Sequence, residues 1–328
     1  MVIMKKKMIG MMLTMAMTAT LFSGCGGTSE TTQTTATQET PVEETGSSTS
    51  GENIAVEEEG SAEEEVVLDD ETTGGVLRVG MECAYAPFNW TQESEEVPNG
   101  DVAVPIYGSS DYAYGYDVMM AKKIADYLGM DLEIHKVEWD SIGLAMDSGE
   151  YDCIIAGMGR TPEREAAYSF TEPYYYRDNC LTVKAGSGLE DITSLADLAG
   201  KNVVVTTQTG TGWVTLQEQI PDRVEGANYA TTAECFMAVS NGVADVALID
   251  KPTAQSALLT NKDLVLIAFE EGKGFVDDNG MTNVCIATRL KDTELRDKIQ
   301  GAMDALKWDK EQMDAMMELA IELQPAAN

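Results

Sequence analysis

The residue types best suited to recognition chemistry lie in residues 153–175, where an arginine follows a short apolar run. Residues 153–156 are apolar, as in a buried strand. Thr161 and Pro162 are typical of a helix N-cap and of the first helical residue. Arg164 is therefore predicted in the first turn of a helix beside the carboxyl end of a strand. Backbone N–H groups and a guanidinium at that place suit a carboxylate. A surface ion pair with a nearby glutamate is the alternative.

The elements that must position this arginine alternate along the chain. Strand-like runs occur at 77–80, 132–137, 152–156, 181–183, 203–207, 246–249, 264–269 and 283–288, and helical spacing at 118–128 and 232–240. Such alternation favours mostly parallel sheets with crossover helices, and the length favours two α/β lobes. An insertion at 91–113, rich in Glu, Pro, Gly, Ser and Tyr, could be a lid or a surface loop, and we expect the surface loop.

Six motifs in a fixed order carry a family resemblance. They are LRVGMECAYAPFNW at 77–90, GYDVMMAKKIADYLGM at 115–130, VEWDSIGLAMDSGEYD at 137–152, CIIAGMGRTPEREAAYSFTEPYY at 153–175, SLADLAGKNVVVTTQTGTG at 194–212 and NGVADVALIDKP at 241–252. In this order they resemble the amino-acid-binding family of extracytoplasmic solute-binding proteins, the capture subunits of ABC importers.

The resemblance implies a specific architecture, the two-lobed fold of type II periplasmic binding proteins with a ligand cleft between the lobes. Lobe one would comprise residues 75–176 and 272–328, and lobe two residues 177–271. Two strands near 176–179 and 268–272 would form the hinge.

The resemblance also implies roles at the cleft. Arg164 would bind the α-carboxylate of an amino acid and Asp250, from the other lobe, its α-ammonium. Capping of the next helix by Asp250 is the alternative. The strand end Ala156-Gly157 and the turn Gly210-Thr211-Gly212 would complete the backbone site.

Two positions depart from the family pattern. Gly212 and Gly159 stand where the family usually has Thr or Ser, so two hydroxyl contacts are missing. Arg160, which follows Gly159, could compensate, pair with Glu82 or point to water.

Recognition of the ligand side chain falls to four residues that the resemblance places at the cleft: Glu82, Tyr85, Phe88 and Trp139. Aromatic rings around a carboxylate suit a cationic group, so a basic ligand such as arginine or lysine is expected. A polar or other neutral amino acid remains the alternative, with the rings covering its apolar part.

The N-terminal segment predicts export and anchoring. Residues 1–24 have three lysines followed by an uncharged run too short for a membrane span, as in a signal peptide. LFSGC ending at Cys25 resembles a lipoprotein cleavage site, so Cys25 is predicted to carry lipid. Residues 25–74, with 14 Asp or Glu and no Lys or Arg, are predicted to be a disordered tether. The protein would then be held at the outer face of the cell membrane.

Composition excludes several other classes of function. The net charge of −34 argues against nucleic acid as a partner. The five cysteines after Cys25 have neither metal-site spacing nor a disulfide pattern and are expected to be buried and free. The sequence Asp277-Asp278-Asn279-Gly280 is interpreted as a turn rather than a calcium loop. We expect no metal and no cofactor.

These observations predict a monomeric capture protein that delivers an amino acid to the permease of an ABC importer. The candidate residues match a ground-state zwitterion and not a transition state, so the protein is not expected to be an enzyme. A dehydratase built on the same fold and a ligand-sensing module for a receptor are the alternatives.

Overall fold

The computed structural model describes residues 75–325. The predicted signal peptide, Cys25 and the tether to residue 74 lie outside the described residues. Within the described part no helix has the length and apolar character needed to span a membrane.

Short strands and helices alternate through this part of the chain. The strands are β1 (Val76–Met81), β2 (Ala84–Tyr85), β3 (Asn89–Gln92), β4 (Val104–Pro105), β5 (Tyr112–Tyr114), β6 (Asp131–Lys136), β7 (Cys153–Ile154), β8 (Tyr168–Phe170), β9 (Asn179–Lys184), β10 (Val204–Thr206), β11 (Val224–Glu225), β12 (Val246–Asp250), β13 (Leu264–Ile267) and β14 (Ala287–Arg289). The α-helices are α1 (Tyr116–Leu128), α2 (Ile142–Ser148), α3 (Pro162–Glu165), α4 (Trp213–Leu216), α5 (Thr232–Ser240), α6 (Lys251–Thr260), α7 (Thr293–Ala305) and α8 (Lys310–Leu323).

Two five-stranded sheets form the centres of two lobes. Lobe one contains the order β6-β1-β7-β14-β8, and lobe two the order β11-β10-β12-β9-β13. The helix α1 packs on lobe one with Val118, Met120 and Ile124 fully buried, and it ends at Gly129, which adopts the left-handed conformation. The two-lobed α/β fold with a cleft between the lobes is therefore confirmed.

The expectation of mostly parallel sheets is wrong in part. In lobe one β1 runs parallel to β6 and β7, but β14 is antiparallel to β7 and β8. In lobe two β10 is parallel to β11 and β12, whereas β9 is antiparallel to β12 and β13. The antiparallel strands β9 and β14 are the first strands after the chain passes from one lobe to the other, so no crossover helix sets their direction.

The segments between the lobes are irregular, where two hinge strands were expected. The chain leaves lobe one after β8 and returns to it at β14. Residues 268–272 form no strand, and Lys273 just beyond them accepts a hydrogen bond from Leu195 N in lobe two. Backbone bridges instead link Val284 to Tyr175 and to Gly159. The exact lobe boundaries stay a prediction.

The insertion at 91–113 was expected to be a surface loop, but it is partly folded, with Val97, Ala103, Val104 and Ile106 buried. With neighbouring residues it forms a small antiparallel sheet of order β2-β3-β5-β4, and Ile106 bridges to Ile134 at the edge of lobe one. None of its residues lines the cleft cavity. Among the described residues the five cysteines are buried and free, as predicted.

Candidate functional site

Arg164 occupies the place that the sequence predicts. Thr161 is the N-cap of α3, and its hydroxyl accepts a hydrogen bond from Arg164 N at 3.4 Å. The guanidinium donates to Gly159 O at 2.9 Å and, across the cleft, to Gly210 O at 2.7 Å. It also lies over the Trp139 ring, 4.8 Å from the centroid. Arg164 thus joins lobe one to the turn that follows β10 in lobe two.

The charge of Arg164 has no anionic partner in residues 75–325, where its side-chain hydrogen bonds go to main-chain carbonyls. The nearby Arg160 pairs instead with Glu165 at 3.2 Å, so it does not reach Glu82. Burial and the like charge of Arg177 lower the pKa of Arg164 to about 10, which still leaves it protonated at neutral pH. A ligand carboxylate would supply the missing negative charge.

The segment Met281-Thr282 explains both departures from the family pattern. A Cβ atom on Gly159 would lie 2.4 Å from Met281 O, and one on Gly212 would lie 2.9 Å from the Met281 side chain. The turn predicted at 277–280 positions this segment, because the Asp277 carboxylate accepts hydrogen bonds from Met281 N and Thr282 N at 2.9 Å each. Glycine is therefore required at both positions by close packing.

Arg177 enters the cleft beside Arg164 and was not anticipated. Its Nη2 donates to Gly157 O at 2.8 Å and to the Tyr85 hydroxyl at 2.9 Å. The guanidinium carbon lies 4.7 Å from the Trp213 ring centroid and 5.0 Å from that of Phe88. Only 3% of its side chain is exposed. Arg177 therefore sits in an aromatic cage closed by polar acceptors, a surrounding typical of a bound cation.

Asp250 lies at the end of β12, fully buried, and is already engaged by other residues. Its Oδ1 accepts from Thr253 N at 2.9 Å, so it caps α6, as in the alternative interpretation. Its Oδ2 accepts from the Tyr85 hydroxyl at 2.9 Å and lies 3.2 Å from Arg177 Nε. That last contact is an ion pair without hydrogen-bond geometry, since Arg177 Nε has no hydrogen-bond partner in the described part of the chain.

Glu82 of lobe one is buried, and it lies near Gln208 of lobe two. Burial, followed by the charges of Glu138, Asp117 and Asp140, raises the pKa of Glu82 to about 8, and Gln208 acts in the opposite direction. One carboxyl oxygen, Oε2, has no hydrogen-bond partner among residues 75–325. Glu82 is therefore mostly protonated at pH 7 and could ionise if a cation came beside it.

The cavity brings together most of the predicted site residues. It is lined by Tyr85, Trp139, Gly157, Gly159, Arg164, Arg177, Gln208, Thr211, Gly212, Trp213 and Thr282. Gly210 contacts it through its carbonyl, whereas Ala156 and Phe88 are fully buried behind it. Its volume is about 10 Å³, far below the roughly 300–1,000 Å³ of most ligand pockets. With Trp139 Nε1 also donating to Thr209 O at 3.1 Å, the lobes are nearly closed.

Sequence reasoning missed Arg177, Trp213 and the segment Met281-Thr282. Arg177 directly follows three tyrosines at the passage between the lobes, and an arginine after an aromatic run is a usable signal. The approach of Met281 to two glycines has no comparable signal, because it depends on contacts more than 60 residues apart.

Comparisons with known proteins agree with this geometry. The chain is 28% identical over 204 residues to the arginine-binding extracellular protein ArtP of Bacillus subtilis, covering 61% of this chain and 75% of that one. It is 28% identical over 235 residues to the ABC transporter arginine-binding protein 1 of Escherichia coli, covering 71% and 86%. A crystal structure of the ancestral amino acid-binding protein AncCDT-1, a precursor of cyclohexadienyl dehydratase, superposes with a TM-score of 0.57 at 27% identity, covering 75% and 95%. Residues 77–318 match the family model, and the chain belongs to the bacterial extracellular solute-binding proteins, family 3.

Proposed function

We propose that this protein captures an amino acid between its two lobes and delivers it, as a monomer, to the permease of an ABC importer. Membership of the solute-binding family supports capture, and the arginine-binding relatives support an amino acid as the ligand. The protein would act by binding and release and not by catalysis.

One observation carries the proposal, the free charge of Arg164 at the junction of the lobes. Its guanidinium donates to carbonyls of both lobes, at Gly159 and at Gly210, and has no carboxylate partner in residues 75–325. A ligand carboxylate that replaced one of those carbonyls would form a charge-assisted hydrogen bond. Since the same ligand would touch the turn at 210–212, its binding would favour the closed arrangement of the lobes.

The side chain of the ligand is proposed to be basic or polar. The Trp139 ring and Gln208 line the cavity, and Glu82, which does not line it, lies beside Gln208. A cationic group there would favour ionisation of Glu82, whereas an amide would share hydrogen bonds with its protonated form. A basic ligand is therefore expected to release a proton on binding at pH 7.

Anchoring through Cys25 to the outer face of the membrane belongs to the same proposal, on the basis of the LFSGC sequence and the acidic segment 26–74. Cys25→Ala should release the protein from membranes into the medium, because no other apolar anchor remains after signal cleavage. A processed mutant that stays in the membrane fraction would contradict lipid anchoring.

The experiment that tests capture is a thermal-shift screen of the twenty common amino acids, followed by calorimetry on Arg164→Ala. Loss of a charged hydrogen-bond partner of the carboxylate should weaken binding by about 2–5 kcal/mol. Arg160→Ala is the matched control, since Arg160 pairs with Glu165 outside the cavity. Wild-type affinity in Arg164→Ala would contradict the proposed carboxylate site at Arg164.

A dehydratase is a second candidate, because the contacts of Asp250 favour it. An acid such as prephenate has no ammonium for Asp250 to meet, and here Arg177 already meets it. Formation of phenylpyruvate from prephenate by the purified protein would establish this activity. Amino acid binding without such turnover would support capture. Uptake of the labelled amino acid by cells with and without the gene would then distinguish transport from sensing.

A further inference from the structure

We infer that Asp250 is the ion-pair partner of Arg177 and does not contact the ligand. The cleft then recognises a carboxylic acid by its carboxylate and its side chain, and it does not bind an α-ammonium group. This inference rests on the proposed capture function and narrows its ligand class. Amino acids remain ligands, but acids of the same shape that lack the α-amino group are ligands too.

Asp250, the expected partner of an ammonium, already has donors from this chain. Asp250 accepts from Thr253 N and from the Tyr85 hydroxyl, both at 2.9 Å. The neighbouring acceptor, Gly157 O, receives Arg177 Nη2 at 2.8 Å. An ammonium held between Asp250 and Gly157 O would contact the same atoms, so Arg177 takes the place of the ligand's cation.

Arg177 cannot give up this place without losing its counter-charge. Its side chain is 3% exposed and Asp250 is 0% exposed, and the rings of Trp213 and Phe88 flank the guanidinium. Displacement toward the cavity would bring it nearer to Arg164, which carries the same charge. An entering ammonium would exchange one cation for another at Asp250 and leave the displaced guanidinium without a partner.

The charges around the cavity also favour a ligand without an ammonium. Arg164 and Arg177 both line the cavity, and Asp250 neutralises one of them. Among the other buried carboxyl groups nearby, Glu82 is mostly protonated at pH 7, and Asp117, whose charge also acts on Arg177, accepts hydrogen bonds from Asn89 and Tyr174 and forms no ion pair with either arginine in residues 75–325. The end of the cavity near Arg164 therefore has one uncompensated positive charge, which a carboxylate without an adjacent ammonium matches best.

The test compares matched ligand pairs that differ in the α-amino group alone. The purified full-length chain is titrated with L-arginine and 5-guanidinopentanoate, L-glutamine and 5-amino-5-oxopentanoate, and L-glutamate and glutarate. For the pair that binds best, we expect the two dissociation constants to differ by less than about tenfold. An amino acid that binds tenfold or more tightly than its partner overturns the inference and leaves the proposed function standing.

Two variants assign the effect to Arg177. In Arg177→Met the acceptors at Asp250, Tyr85 and Gly157 become free, so the preference for the amino acid should rise at least about tenfold over wild type. Arg160→Met is the matched control and should keep the wild-type ratio. An unchanged ratio in folded Arg177→Met overturns the assignment, and if that variant does not fold, the wild-type ratio decides alone. If neither these compounds nor any of the twenty common amino acids binds, the proposed function itself fails.

Discussion

Arg164 and Arg177 line the same cavity but differ in their partners and in their exposure. Arg164 is partly buried, and its guanidinium donates to two main-chain carbonyls from opposite lobes. Arg177 is almost fully buried. It forms an ion pair with Asp250, donates two hydrogen bonds from Nη2 and packs against aromatic rings. The first arginine keeps its charge available, whereas the charge of the second is already satisfied.

Residue type and position in a cleft do not by themselves identify a ligand contact. Asp250 and Arg164 were equally good candidates in the sequence, because both follow strands at the cleft edge. Their partners separate them, since Asp250 is fully buried and engaged while Arg164 has no carboxylate in the described part of the chain. The mutations below test whether Arg177 is structural and Arg164 functional.

Arg177→Met should have the largest effect on stability. The substitution leaves the Asp250 carboxylate buried without its counter-charge, and breaking a buried ion pair in this way costs about 3–5 kcal/mol. Urea denaturation should therefore show a clearly lower midpoint than in the wild type. The double variant Arg177→Met, Asp250→Asn should recover part of the loss, because it removes the unpaired carboxylate as well.

Arg160→Met is the control for this measurement, since its pair with Glu165 is on the surface and such pairs contribute about 0–1 kcal/mol. A loss of less than about 1 kcal/mol in Arg177→Met would show that the Arg177 region is not a structural ion pair. The distinction between the two arginines would then disappear.

Glu82→Gln should have the next largest effect, one that grows with pH. The folded protein keeps the Glu82 proton up to a pKa of about 8, whereas an unfolded chain releases it near pH 4–5. Unfolding between these values releases a proton, so rising pH favours unfolding of the wild type. Glu82→Gln lacks this term and should be the more stable protein at pH 7, by at most about 3 kcal/mol.

Denaturation at pH 5, 6, 7 and 8 measures the effect, with Glu318→Gln on the exposed face of α8 as the matched control. Glu82→Gln should also bind a basic amino acid more weakly than the wild type does, while its affinity for a neutral amino acid of similar size should be nearly unchanged. A stability difference that does not change with pH would mean that Glu82 is ionised in the folded protein.

Much of this architecture could be predicted because its signals are local. Thr161 and Pro162 mark the start of α3, and α5 spans the predicted 232–240. The predicted ends of β1, β6, β9 and β12 fall within two residues of the observed ends. Apolar runs, caps and turn residues are short-range features, so the sequence predicts them well. The family motifs added the two-lobed topology.

The contacts of the cleft could not be predicted in the same way because they join distant parts of the chain. Tyr85 and Asp250 are 165 residues apart, and Tyr85 and Arg177 are 92 apart. Nothing near Asp250 in the sequence indicates that an arginine from the passage between the lobes will reach it. The irregular hinge segments have the same origin, since their backbone groups bond to side chains such as Asn283 instead of a strand.

Arg164→Met should have the smallest effect on stability, within about 1 kcal/mol of wild type. The variant loses two hydrogen bonds to carbonyls, but it also removes a charge that burial and Arg177 disfavour, as the lowered pKa of Arg164 indicates. These terms oppose each other, and the methionine still covers the Trp139 ring. Urea denaturation of Arg164→Met beside Arg177→Met measures the difference directly. A loss as large as that of Arg177→Met would make Arg164 a structural residue as well, and the carboxylate site would have to lie elsewhere in the cleft.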